Sequence, residues 1–103
     1  MAIKVVIADD HSLVRQGLRR YLEMAGDIEV VGEASNGQEA LGMMGNGHGA
    51  PDIVLLDIRM PEMDGLEAAR RIQAGHPDVG VIMLTAYDDR QFVVEAVRAG
   101  ARG

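Results

Sequence analysis

The sequence predicts an α/β fold, a doubly wound parallel sheet with helices on both faces. Three observations predict it. Short apolar runs alternate with segments whose apolar residues recur at helical spacing, in the order βαβαβαβα, and that alternation implies parallel strands joined by right-handed crossovers. The run Ile53-Val54-Leu55-Leu56 is apolar without interruption and bounded by turn formers, as expected of a strand buried on both faces. Finally, three runs end in groups capable of chemistry: the first in Asp9 and Asp10, the third in Asp57, the fourth in Thr85.

The elements follow in order. Ile3 to Ala8 is the first strand. Ser12 is placed to cap a helix in which Leu13, Val14, Leu18, Tyr21, Leu22 and Ala25 mark the inner face, and Gly26 closes it. Arg15, Arg19 and Arg20 lie elsewhere on that helix and read as a solvated face. Asp27 to Ser35 alternates enough for a strand nearer a sheet edge, and Asn36-Gly37 turns the chain. Gln38 to Met44 is a short helix that dissolves into Gly45-Asn46-Gly47-His48-Gly49. That glycine-rich stretch imitates a phosphate loop, but it follows a helix rather than a strand and reads as a connector. Pro51-Asp52 introduces the central strand. Pro61 then blocks continuation, and Asp64-Gly65 turns into a third helix, Leu66 to Ala74, with Leu66, Ala69 and Ile72 inward. Val79 to Leu84 is a fourth buried strand, and Asp88 or Asp89 caps a last helix that Gly100 ends.

Composition bounds the function. At 103 residues the chain is one domain with one modest core. Two tyrosines and one phenylalanine are its only aromatic residues, so the core is aliphatic. With no cysteine, disulfides and thiolate zinc sites are excluded, and a reducing cytoplasm is allowed. A net charge of −6 argues against direct binding of nucleic acid or an anionic membrane by this chain. No apolar run reaches the roughly 20 residues of a membrane span, and the start is no signal peptide.

The strand-end carboxylates carry the functional reading. One aspartate at a strand end is ordinarily a turn or cap residue, and an Asp-Asp pair before a helix is commonly an N-cap. Their conjunction is less ordinary, because in a parallel sheet these ends share one edge. If the first and third strands are neighbours, Asp9, Asp10 and Asp57 converge and need a cation to stay ionised together. Oxygen-only ligands select a hard divalent ion, Mg²⁺ or alternatively Mn²⁺. That arrangement suits phosphoryl transfer onto Asp57, with Thr85 donating to an oxyanion. His11 adjoins the acids and reads first as a solvent-facing first-turn residue, with contact to metal or phosphate as the alternative. His48 and His76 lie in loops, and Met60 and Met63 flank Pro61, expected partly exposed near the site.

These motifs resemble a known family. V-V-I-A-D-D at Val5 to Asp10, L-L-D-I-R-M-P-E-M-D-G at Leu55 to Gly65 and V-I-M-L-T-A at Val81 to Ala86 are similar to the receiver domain of bacterial two-component response regulators, and the resemblance covers essentially the whole chain, 1–103. His11 to Leu18 resembles the NarL/FixJ-type subgroup, whose receivers precede a helix-turn-helix DNA-binding domain. The resemblance implies a flavodoxin-like, CheY-like sheet of order 2-1-3-4, cytoplasmic, that accepts phosphate from a sensor histidine kinase and controls an output domain. It is a signalling phosphoacceptor with its own phosphorylation and dephosphorylation chemistry rather than a turnover enzyme. Asp57 would be the phosphoacceptor. Asp10 would bind Mg²⁺ directly, Asp9 directly or through water, and the backbone carbonyl of Arg59 would complete the protein ligands with Asp57. Thr85 would bind the phosphoryl group and switch. Ala86 is small beside it, Tyr87 and Arg59 would tune rates, and Pro61 and Gly65 would shape the loop.

The sequence departs from the family at its end. Ala99 to Gly103 arrives where a fifth strand and helix are expected, and with them the family's phosphate-binding lysine. Lys4 is the only lysine, at the opposite edge of the sheet. The expectations are weakened phosphorylation, switching uncoupled from output, and a fourth strand left as an open edge, inviting a homodimer or swapped oligomer. Two rival functions remain. A haloacid-dehalogenase-like phosphatase would want an aspartate where Arg59 stands and a catalytic lysine. A flavodoxin-like nucleotide binder would want Ser, Thr and Gly loops where the strand ends are acidic.

Overall fold

The computed structural model describes residues 2–44, 50–57, 60, 62–84 and 90–101. Its elements are β1 (Ile3–Ala8), α1 (Ser12–Glu23), β2 (Ile28–Ala34), α2 (Gly37–Gly42), β3 (Ile53–Asp57), α3 (Gly65–Gly75), β4 (Gly80–Leu84) and α4 (Arg90–Ala101). All strand pairs are parallel, as the alternation predicts, and the order is β2-β1-β3-β4, as the family resemblance implies.

The continuous apolar runs work because both sheet faces are covered. In β1, Val5 and Ile7 point to one face and Val6 and Ala8 to the other; in β3, Ile53 and Leu55 oppose Val54 and Leu56 in the same way. All eight are essentially inaccessible to water. Burying a side chain such as Leu55 stabilises the fold by about 2–3 kcal/mol. The first face is closed by Leu18 and Leu22 of α1 and by Val93, Val94 and Val97 of α4. The second is closed by Ala40 of α2, Ala68 and Ile72 of α3, and the flanking Met44, Met60 and Met63.

Right-handed crossovers explain the division. The step from β1 to β2 runs one way across the sheet, and the steps from β2 to β3 and β3 to β4 run the other, so α1 lies opposite α2 and α3. The last helix, α4, joins α1 rather than α3. It is fastened there by Arg98, whose Nε and Nη2 donate to the two carboxylate oxygens of Asp27 at 2.9 and 3.0 Å.

Several local expectations are corrected. His11, not Ser12, is the N-cap of α1, and its side chain makes no capping bond. Leu13 and Val14 are not on the inner face; Leu13 is 83% exposed, and burial along α1 begins only at Leu18. In α3, Leu66 is exposed and Ala68 takes the buried position. Met60 and Met63 are buried, not partly exposed, since they fill the gap between the α2 and α3 packing. As the edge strand, β4 is half-buried over Gly80 to Met83 rather than enclosed. Gly100 does not end α4, which continues to Ala101. The Gly45–Gly49 connector and the caps at Asp88 or Asp89 lie outside the described residues.

Two helix starts share one signal. Asn36 Oδ1 accepts from Glu39 N at 2.8 Å, and Asp64 Oδ1 accepts from Glu67 N at 2.9 Å. Each satisfies a backbone donor that a helix leaves open. At α2 the glutamate reciprocates, with Glu39 Oε1 accepting from Ser35 N and Oγ.

Candidate functional site

Strand register builds the site. Ala8 of β1 lies beside Leu56 of β3, so the residues that follow, Asp9 and Asp57, leave the sheet side by side. Asp9, Asp10, His11 and Asp57 each offer one ligand atom, and these atoms all lie within 4.8 Å of one another. The sequence-predicted acidic trio is therefore brought together, and His11 with it.

Asp9 is the buried member at 7% exposure, and it is held on every side. Its backbone N–H donates to Ala34 O at 3.0 Å, and its Oδ1 accepts from His11 N at 2.8 Å. Its backbone carbonyl accepts from Arg15 Nη1. The His11 ring turns towards both acids, with Nδ1 3.0 Å from Asp10 Oδ1 and 3.3 Å from Asp9 Oδ1. Three carboxylates this close repel one another. The donor set is thus chemically suited to a hard divalent cation, whose charge offsets theirs.

Arg15 is a residue sequence reasoning missed. It is not a member of a solvated face: Nε donates to Glu33 Oε1 at 3.0 Å, and Arg19 Nη1 reaches Glu33 Oε2 at 2.7 Å. The Arg19 hydrogen bond, assisted by Arg15 and opposed by burial, holds the Glu33 carboxyl below the ordinary glutamate range. The same contact raises Arg19. Arg15 thereby ties α1 to β2 and to the Asp9 carbonyl. No sequence signal could have found this pairing, because Glu33 and Arg15 meet only through the packing of α1 against β2.

The loop after β3 is shaped by two backbone features. Glu62 lies in the left-handed region at φ 69°, unusual for a residue with a Cβ. Gly37 donates from its N–H to Met63 O at 3.2 Å, and a Cβ there would lie 2.5 Å from that oxygen. Only glycine lets α2 begin so close to this loop. Gly65 is buried as the first residue of α3 rather than part of a free turn. Lys4 lies at the far end of β1, its N–H donating to Asp52 Oδ2 at 2.9 Å, remote from the acids as expected. Arg59, Pro61, Thr85, Ala86 and Tyr87 lie outside the described residues.

A four-stranded parallel sheet with three carboxylates at its strand tips defines a class of α/β module able to hold a divalent cation, and comparison with known proteins narrows it. The family model of the response regulator receiver domain matches residues 5–103, and the chain belongs to that family. Transcriptional regulatory protein YhcZ of Bacillus subtilis is 48% identical over 100 residues, covering 97% of this chain and 46% of its own length. Response regulator GacA of Pseudomonas syringae is 41% identical over 101 residues, covering 98% of this chain and 46% of its own. The chain thus spans about half the length of the curated relatives it matches. Among solved structures, the signal receiver domain of the response regulator NarL from Mycobacterium tuberculosis superposes with a TM-score of 0.88 at 33% identity, over 99% of this chain and 98% of that one. The receiver identity, the sheet order and the resemblance to NarL-type regulators are thereby borne out.

Proposed function

We propose that Asp57 is the phosphoacceptor of a signalling switch. The observation that carries this is its position: Asp57 ends the buried central strand with Asp9 and Asp10 in reach of the same cation. A carboxylate oxygen of Asp57 attacks the phosphorus of a phosphohistidine; the phosphorus–nitrogen bond breaks and the freed imidazole takes a proton. Asp10, Asp57 and the Arg59 carbonyl, with Asp9 directly or through water, would hold Mg²⁺, or alternatively Mn²⁺. When bound, the cation neutralises charge on the transferring group and on the acids around it. Thr85 receives the phosphoryl group by hydrogen bond and switches, beside the small Ala86. Arg59 and Tyr87 tune its lifetime, and Pro61 and Gly65 fix the loop. Arg15 positions Asp9 from behind.

The donor is a sensor histidine kinase, as for response regulators generally. The output is transcriptional, on the strength of the relatives named as transcriptional regulators. We assign residues 1–103 to one receiver unit, working in the cytoplasm; among the described residues no helix is long and apolar enough to cross a membrane. Self-association is assigned to the free edge of β4, whose Gly-Val-Ile-Met-Leu sequence carries no charge or proline to block pairing. A phosphatase of the haloacid dehalogenase type would need a second acid where Arg59 stands, and a nucleotide binder would meet acidic strand ends.

Incubation with acetyl phosphate, followed by intact mass, tests the chemistry. A single phosphate adduct that requires Mg²⁺ and vanishes with a chelator is the expected result. An adduct indifferent to chelation would remove the metal from the chemistry.

A further inference from the structure

Asparagine is a thermolabile residue, and most of all before glycine. A glycine nitrogen reaches the preceding side-chain amide unhindered, because no Cβ stands beside it. The chain holds two such pairs, Asn36-Gly37 and Asn46-Gly47, and the first lies within the described residues. There both reacting groups are engaged. The Gly37 N–H donates to Met63 O at 3.2 Å, and Asn36 Oδ1 accepts from Glu39 N at 2.8 Å. Gly37 is buried, and a Cβ on it would lie 2.5 Å from Met63 O and 3.1 Å from the Cβ atoms of Ala68 and Met63. Ser35 and Glu39 brace the turn, with Glu39 Oε1 accepting from Ser35 N and Oγ.

We infer that Asn36-Gly37 is a gated modification site: it deamidates only from a state in which α2 has come away from the loop after β3, and the β-aspartyl product then holds the two apart. In the reaction the Gly37 nitrogen gives up its proton and bonds to Asn36 Cγ, and the side-chain nitrogen leaves as ammonia. Water then opens the cyclic imide. Breaking the new N–Cγ bond gives aspartate; breaking the bond from that nitrogen to the Asn36 main-chain carbonyl carbon gives β-aspartate. Water is the only co-reactant. The attack requires a Gly37 N–H released from Met63 O and an Asn36 amide released from Glu39 N. Its rate therefore follows the population in which both bonds are open. An aspartate at position 36 still caps α2. A β-aspartate inserts an extra carbon into the main chain immediately before Gly37, where the packing has no room even for a methyl group. Met63 stands in the loop that follows Asp57, so the damage falls beside the proposed phosphoacceptor. That consequence rests on the receiver reading, whereas the gated chemistry does not.

The chain is incubated at mildly alkaline pH, folded and unfolded in urea, and deamidation is followed by mass spectrometry. Cleavage after Glu33 and Glu39 puts Asn36 and Asn46 in different peptides. Hydrogen exchange of the Gly37 N–H is recorded by NMR on the folded chain. Asn36 should react at least about tenfold more slowly folded than unfolded. That retardation should match the exchange protection of the Gly37 N–H within about threefold, since both need the same group freed. Ser35→Ala, which loosens the brace and leaves both reacting residues in place, should raise the two rates together. In the separated β-aspartyl form the Gly37 N–H should exchange without protection. Equal rates at Asn36 in the folded and unfolded chains would overturn the inference. So would strong retardation beside a freely exchanging Gly37 N–H, because the gate would then not be this contact. A β-aspartyl form that still protects Gly37 would overturn the claim that the product holds α2 and the loop apart. Each of these results leaves the reading of Asp57 standing.

Discussion

Glu33 shows how one side chain outside the acidic cluster supports it. It is largely shielded and receives both Arg15 and Arg19, and Arg15 in turn holds the Asp9 carbonyl. Its carboxyl is depressed by these partners. Its contribution is therefore present above the ordinary glutamate range and is lost as pH falls through the lowered folded-state value. Glu33→Gln should cost about 1 kcal/mol at neutral pH and flatten the acid limb of stability, read from urea unfolding across pH 3 to 7 (roughly the span over which carboxylates titrate). An unchanged acid limb would mean that the pair contributes nothing. Gly37 is the second residue-scale case. Gly37→Ala places a methyl group against Met63 O and should destabilise by about 1–3 kcal/mol. A variant as stable as the parent would show that α2 and the loop after β3 shift apart freely.

At the scale of elements, what was legible in the sequence depended on how local its cause is. β1 and β3 were readable to the residue because their apolar runs stop at acids. The glycine-linked caps Asn36-Gly37-Gln38-Glu39 and Asp64-Gly65-Leu66-Glu67 carried a capping signal that went unused, and so α2 and α3 begin one residue earlier than expected. Leu13 and Val14 precede the buried stretch of α1, which starts at Leu18, and Leu66 stands one position off the stripe Gly65, Ala68 and Ile72 that α3 buries. The face chosen by α4 had no sequence signal. As it lies, a parallel strand reached through α4 and added to the free edge of β4 would need a left-handed crossover, which sheets almost never make. A longer chain that completes the sheet in this way must therefore carry α4 on the α3 side, without the Arg98–Asp27 pair. Arg98→Gln should lower the melting temperature of the 103-residue chain and leave the longer one unchanged; equal losses in both would place α4 against α1 in either form.

For the molecule as a whole, parallel topology brings the strand-tip acids to one edge, and the order that makes Asp9, Asp10 and Asp57 neighbours was legible only through the family resemblance. The sequence did not disclose the support behind them, since Arg15 and Glu33 meet only through tertiary packing, whereas His11 is a chain neighbour of the acids it faces. The same topology leaves β4 as a half-covered edge. Sedimentation of the 103-residue chain should show concentration-dependent dimers that Ile82→Lys shifts to monomers; monomers at every concentration would remove self-association through this edge.

The most direct measurement of the central claim locates the phosphate chemically. After treatment with Mg²⁺ and acetyl phosphate, borohydride reduces an aspartyl phosphate to homoserine, and tandem mass spectrometry reads its position. It is best run on this chain and on one extended through the family's fifth strand. Homoserine at position 57 and nowhere else, absent from Asp57→Asn, is the expected result. Reduction at Asp9 or Asp10, or none in either folded chain, would contradict the assignment of Asp57 as the phosphoacceptor.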